Sequence, residues 1–202
     1  KPLLRQALGN AVMHSFNLLS IDNDMSTNDS VIMLANGLAG NTVIRRNDTQ
    51  YRTFARALML LSRYIAKELV RDGEGVGRVC EIFVRGARTF ADAVCAARAV
   101  ANSMLFKTAL AGADPNWGRV VAALGAETRV ACNFNKLTVS FGTVTVVKGG
   151  IPCRFDKQRA KKEMEKPEMS VAINLACGRH ACSFMTTDLT KEYVAINSEY
   201  ST

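Results

Sequence analysis

A carboxylate stands among alternating glycines in Gly73-Glu74-Gly75-Val76-Gly77. Two chemistries fit such a run. Glycines free a backbone to wrap a phosphate, and they equally let a loop bring a side-chain carboxylate close to a cationic ligand. A dinucleotide-binding loop leaves a strand and opens a helix, so that the positive helix end faces the phosphate. Here the order is reversed: a helical pattern ends near Arg71 and a strand pattern begins at Val79. The run therefore sits at the negative end of a helix dipole, and the Gly-Lys-Ser/Thr ending of a P-loop is missing as well. Nucleotide binding is set aside. What stands is either a helix cap followed by a tight turn, which accounts for Gly73, or a loop that offers Glu74 to an ammonium group. Spacing alone does not separate these two.

Other reactive side chains are less telling. Cys177 and Cys182 bracket His180, but the spacing fits no common zinc pattern and a fourth ligand is missing, so no metal is expected. The six cysteines lack a C-x-x-C pair, which reads as reduced thiols in a cytosol-like compartment. Asp22, Asp24 and Asn28 form either a polar network that positions a site or an Asx-turn loop without chemistry. The single tryptophan, Trp117, reads as a core anchor.

The elements that must hold these residues follow from periodicity. Apolar residues from Leu3 to Val12 recur at three and four, giving a helix over 3–18, with a short strand at 18–21. Residues 22–29 read as a loop and 30–37 as a buried strand. Asp48 or Thr49 caps a long helix to Arg71, with Tyr51, Phe54, Ala55, Leu58, Leu61, Ile65 and Leu69 as its apolar face and Gly73 as a left-handed terminator. A strand is expected over 79–84 and a helix over 89–102. Asp114 caps a helix that has Pro115 at its first position and closes at Gly125. Strands over 128–148, a basic helix over 156–166, strands near 169–175 and 180–185, and a last helix near 189–196 complete the chain. The order predicts an α/β (α+β) fold, a layered sandwich of mixed sheets with helices outside. Residues 1–128 are expected to form an α/β lobe and 129–202 a strand-rich lobe.

Composition narrows the partners. The 202 residues carry 48% hydrophobic side chains, enough for a sizeable core, and no apolar run reaches the length of a spanning helix, so no membrane partner is expected. Net charge is +8, but the basic run 157–166 has no interleaved aromatics and reads as a solvated helix face, so no nucleic-acid partner is expected. The chain opens at Lys1 without a basic-then-apolar leader, as a fragment or a processed product would.

Four blocks carry a family resemblance: the stretch from Ser15 to Gly37 with its STND, Val70 to Arg78 with its RDGEG, Lys107 to Gly125 with its DPNWGR, and the ending Asp188 to Tyr200. In that order they resemble the β chain of bifunctional ornithine acetyltransferase, also called glutamate N-acetyltransferase, along nearly the whole sequence. The resemblance implies an N-terminal-nucleophile-like enzyme whose precursor cleaves itself. Its nucleophile is a threonine at the new β-chain N-terminus, activated by its own α-amine. An acetyl group passes from N-acetylornithine to that threonine and then to glutamate, in cyclic arginine biosynthesis. The threonine falls just upstream of Lys1 and the oxyanion hole lies on the α chain, so no catalytic residue is assigned here, and neither Thr27 nor Thr108 takes that place.

Three positions match substrate-binding ones in the family: Glu74, which meets the ornithine end, Asn197, and Thr202. Lys107 and Thr108 match as supports. Asn23, Met25 and Ser30 depart from the family's Gly, Thr and Thr; asparagine tolerates left-handed backbone, so the turn at Asn23 is expected to survive. The implied partners are the α chain, in an α2β2 heterotetramer, and the two small substrates. No cofactor is implied, with acetyl-CoA left open as an alternative donor. The implied location is cytoplasmic, or the mitochondrial matrix in a eukaryote. The competing readings are a self-processing aminopeptidase-type hydrolase of the same structural class and a non-catalytic binding module.

Overall fold

The computed structural model describes residues 1–199. They divide into two compact units, residues 1–19 with 24–69, and residues 20–23 with those from 70 onward.

The first unit is helical. Helix α1 spans Pro2–Met13, with proline in its first turn and Ala7 and Ala11 buried. Ser15 Oγ donates to the Ala11 carbonyl (2.6 Å), and a 3-10 turn follows at Phe16–Leu18. Helix α2 spans Thr49–Arg71. Asp48 Oδ1 accepts from the Tyr51 amide (3.1 Å), the N-cap expected from the sequence. The apolar face follows the spacing at Tyr51, which is buried, and at Phe54, Ala55 and Leu58, which are half-buried, but departs from it beyond Leu58. Tyr51, Ser62, Ala66 and Val70 are buried, whereas Leu61, Ile65 and Leu69 are 55%, 42% and 50% exposed. The run 30–37, expected as a buried strand, has no regular structure, and its Leu34 is 90% exposed. An extended segment becomes a strand only by pairing its backbone groups, and no described strand pairs with it.

The second unit is built on a seven-stranded mixed sheet in the order β1-β7-β2-β6-β3-β4-β5. Its strands are β1 (Leu19–Ser20), β2 (Val79–Ala87), β3 (Thr138–Phe141), β4 (Val144–Lys148), β5 (Ile151–Pro152), β6 (Glu168–Asn174) and β7 (His180–Thr187). Strand β2 runs parallel to β6 and antiparallel to β7. Strands from both sides of residue 128 thus lie side by side. Cys80, Ile82 and Val84 of β2 are fully buried. Helix α3 (Phe90–Ala101) packs on β2 and β7 through Ala93, Ala96, Ala97 and Val100, whose small side chains let the helix lie close. The alternate residues of β2 face the other way, and Phe83, in the middle of the sheet, is 42% exposed.

Helix α4 (Met104–Ala111), not foreseen from the sequence, starts two residues after α3's C-cap, Asn102, because Ser103 Oγ accepts from the Phe106 amide (3.3 Å). Helix α5 (Trp117–Ala126) is capped by Asn116, not Asp114. Asn116 Oδ1 takes the Arg119 amide (3.3 Å), while Asp114 accepts from Asn116 Nδ2 (3.1 Å) and Pro115 stays outside the helix. The helix runs through Gly125 to Ala126. Asp156 caps the basic helix α6 (Lys157–Met164), and α7 spans Lys191–Glu199.

Candidate functional site

The glycine run is shaped by what packs on it. Gly73, expected to be left-handed, is not; the positive φ of 61° belongs to Gly75. A Cβ at Gly75 would lie 2.4 Å from the backbone nitrogen of Tyr193 in α7, and one at Gly77 would lie 2.9 Å from Asp188 Oδ2. These glycines thus admit the chain's own C-terminal segment, which neither reading from spacing had foreseen.

Asp188 follows β7 and is buried. Its Oδ1 accepts from the Gly77 and Arg78 amides (2.9 and 3.0 Å), and its own amide donates to the Arg78 carbonyl (3.2 Å). Arg78 Nη1 donates to the carbonyls of Leu110 and Ala111 at the end of α4 (3.1 and 2.9 Å), where a cation complements the helix dipole. Two residues on, Thr190 Oγ1 donates to the Gly75 carbonyl (2.6 Å) and accepts from the Tyr193 amide (3.1 Å), so one hydroxyl both caps α7 and fastens it to the loop. Tyr193 Oη donates to Asp22 Oδ2 (3.0 Å).

This seating places Asn197 beside Glu74. Asn197 Nδ2 donates to Glu74 Oε2 and to the Tyr193 carbonyl, both at 3.0 Å. Both amide hydrogens are then used, and Asn197 Oδ1 and Glu74 Oε1 are left as acceptors on an exposed surface. An acceptor pair carrying one negative charge suits a primary ammonium, which has three donors and no acceptor.

Lys107 is only 5% exposed and packs against the end of β7. Its Nζ donates to the Thr187 carbonyl (2.6 Å), Thr187 Oγ1 (3.1 Å) and Thr186 Oγ1 (3.3 Å). Burial lowers its pKa to about 8, against the opposing pull of Asp188 and Asp22. The two threonines in turn donate to the Ala101 and Ile21 carbonyls (both 3.1 Å). Lys107 therefore ties α4 to the end of β7, just before Asp188.

The sequence-derived residues separate clearly. Glu74 and Asn197 come together, and Asp22 joins them through Tyr193. Asn23 is left-handed at φ 78°, as expected at the family's glycine position. Asn28 makes contacts with its neighbours Ser26 and Thr27. Thr108 Oγ1 is engaged by the Leu105 carbonyl and Arg119 (both 3.0 Å). Thr202 lies outside the described residues. Trp117, expected in the core, is half-buried in the wall of a cavity of about 600 Å³ shared with Phe155, Lys157 and Lys161; that cavity does not include Glu74 or Asn197. Among the described residues no group of three or more His, Cys, Asp or Glu side chains could hold a metal ion. No described helix is long and apolar enough to cross a membrane. Asp188, Thr190 and Tyr193 are not among the sequence-derived site residues; a threonine just before a helical pattern is a legible cap, but its hold on Gly75 is not.

A mixed sheet carrying helices, with an acceptor pair assembled by a C-terminal helix on a glycine loop, makes this an α/β protein. Comparison with known proteins narrows this, and the chain belongs to the ArgJ family, whose profile matches residues 1–202. It is 42% identical over 199 residues to the arginine biosynthesis bifunctional protein ArgJ of Symbiobacterium thermophilum, covering 98% of this chain and 49% of that protein. It is 39% identical over 203 residues to the mitochondrial ArgJ protein of Schizosaccharomyces pombe, covering 98% of this chain and 45% of that protein. The chain thus spans about half the length of these curated relatives. The crystal structure of ArgJ from Bacillus halodurans matches with a TM-score of 0.94 at 33% identity, over 98% of this chain and 93% of that one.

Proposed function

We propose that this chain is the β-chain half of a self-cleaving acyltransferase that moves an acetyl group from N-acetylornithine to glutamate. The observation that carries the reading is the pairing of Glu74 with Asn197 at 3.0 Å, which leaves two acceptors facing outward. They receive the side-chain ammonium of N-acetylornithine. Family membership supports the arginine-biosynthetic setting.

In this reading the nucleophile is the threonine that the family places just before Lys1. Its oxygen attacks the acetyl carbonyl, ornithine leaves with its amine restored, and the amine of glutamate then takes the acetyl from the ester and frees the hydroxyl. Holding the substrate's ammonium fixes where its acetyl group lies, and such positioning lowers the entropic part of the barrier. No cofactor takes part, and acetyl-CoA is a second acetyl donor to be tested beside N-acetylornithine. The enzyme works in the cytoplasm, or in the mitochondrial matrix of a eukaryote.

The α chain of the same precursor is the proposed partner, in an α2β2 assembly. Matching about half of the curated relatives but 93% of one chain of a solved relative supports a two-part protein. The exposed Leu61, Ile65 and Leu69 of α2, and Phe83 on the open sheet face, support a missing neighbour.

The test is to express the whole precursor and incubate it with N-acetylornithine and labelled glutamate. Formation of N-acetylglutamate, with an acetyl group trapped on the threonine that opens the β chain, is the expected result. Hydrolysis of N-acetylornithine without transfer would replace the reading with the hydrolase one, and no turnover at all would leave a binding module.

A further inference from the structure

We infer that Thr190 and Tyr193 are positioning residues for substrate binding: they latch α7 to the glycine loop and so set Asn197 against Glu74. The inference rests on the reading of those two residues as the ammonium-binding pair and names what aligns them.

Three contacts define the latch. Thr190 Oγ1 donates to the Gly75 carbonyl (2.6 Å) and accepts from the Tyr193 amide (3.1 Å), so the first turn of α7 and the loop share one hydroxyl. Tyr193 Oη donates to Asp22 Oδ2 (3.0 Å), a second anchor one turn before Asn197. Gly75, at φ 61°, leaves the gap into which the Tyr193 backbone fits.

Burial adds little hold on this helix. Helix α7 has no buried residue, and its Val194 and Ile196 are 56% and 39% exposed. A nine-residue helix is below the length that holds together by itself in water. Its placement therefore depends on polar contacts at its first turn. The four-residue step from Tyr193 to Asn197 is about one helical turn, so both project from one face. The Tyr193 carbonyl also takes one amide hydrogen of Asn197 (3.0 Å), which turns the other toward Glu74. Loosening the first turn would thus release Asn197 from Glu74 without changing either residue.

The test is a double-mutant cycle in the full-length, assembled enzyme. Thr190→Val is expected to raise KM for N-acetylornithine by roughly 5- to 100-fold, the range for the two hydrogen bonds it loses, with kcat changed less than about 2-fold. Tyr193→Phe is expected to act in the same direction. Thr190→Ser, which keeps the hydroxyl, is expected to stay near the parent value. In an Asn197→Ala background, Thr190→Val should add less than about 2-fold, because its effect passes through Asn197. Amide exchange over residues 193–197 should quicken in Thr190→Val while exchange in β2 and β6 holds steady.

An unchanged KM in Thr190→Val, or a full-size effect persisting beside Asn197→Ala, overturns the latch. If Asn197→Ala alone leaves KM unchanged, the ammonium-pair reading fails and takes the inference with it. If Asn197→Ala raises KM and Thr190→Val does not, only the latch fails.

Discussion

Asn197 Nδ2 and Glu74 Oε2 meet at 3.0 Å across 123 residues of chain. The pair is assembled from opposite directions, Glu74 from the loop after α2 and Asn197 from the last helix, and buried Asp188 holds the two segments together at Gly77 and Arg78. Asp188 itself is exposed to no substrate. Its work is to turn the chain after β7 toward the glycine loop, and the substrate-facing geometry follows from that turn.

Replacing Glu74 by Gln keeps the acceptor for Asn197 Nδ2 and removes the charge. A hydrogen bond to a charged group contributes about 1.5–3 kcal/mol. Transfer from N-acetylornithine should therefore lose roughly one to two decades in kcat/KM. The melting temperature should hardly move, because Glu74 is exposed. Steady-state kinetics on the assembled variant checks this, and unchanged kinetics would reduce the run to a cap and a turn.

How much of this was legible depended on the range of each contact. Helix α3 was readable because its alanine and valine stripe faces the sheet in the same chain. The second half of the α2 face and the run 30–37 depart from the expectation for one physical reason: Leu61, Ile65, Leu69, Ile32 and Leu34 are exposed in this chain, so spacing pointed to burial that these residues do not supply. Helix α4 was missed because Ser103 restarts the helix at once, within a run too short to show its period. At the site, Glu74 drew attention by its setting between glycines, whereas Asn197 came only through the family resemblance. Nothing near Gly75 in sequence tells that Tyr193 occupies the space beside it.

Gly75 should tolerate no side chain. Its φ of 61° strains most L residues, and a Cβ would lie 2.4 Å from the Tyr193 nitrogen. Gly75→Ala should cost about 1–3 kcal/mol of stability. Gly75→Asn separates the two causes, because asparagine accepts the left-handed conformation but still carries a Cβ. If close packing dominates, thermal denaturation should find Asn as damaging as Ala; a near-wild-type Asn variant would assign the cost to backbone strain alone.

The six cysteines should divide by burial. None forms a disulfide, and Cys80 and Cys182 are buried. Burial raises the Cys80 thiol far above its ordinary value and pushes Cys182 up to about 12. Thiolate is the reactive form, so at pH 8 both should resist alkylation in the folded protein, while the half-buried Cys95, Cys153 and Cys177 react first. Denaturation without reductant should expose all six. Mass spectrometry of alkylated peptides checks the order, and early labelling of Cys80 would contradict the packing of β2.

Lys107 predicts a pH dependence of stability with a definite sign. Its folded pKa is lowered to about 8 from 10.5 because burial disfavours the ammonium more than Asp188 and Asp22 favour it. Between those two values the unfolded chain holds the proton that the folded chain has released, so stability rises with pH across that window. Below about pH 8 both states are protonated and the full cost of burying the charge is present. Above 10.5 both are neutral and that cost is gone. Lys107→Met removes the titration, so the difference in unfolding free energy between parent and variant isolates it. The parent should gain on the variant by about 2–3 kcal/mol in total from pH 8 to 10.5, measured by denaturant unfolding at a series of pH values. A flat difference across the window would mean that Asp188 and Asp22 offset the burial completely, and a falling one that they outweigh it and make Lys107 a stabilising buried cation.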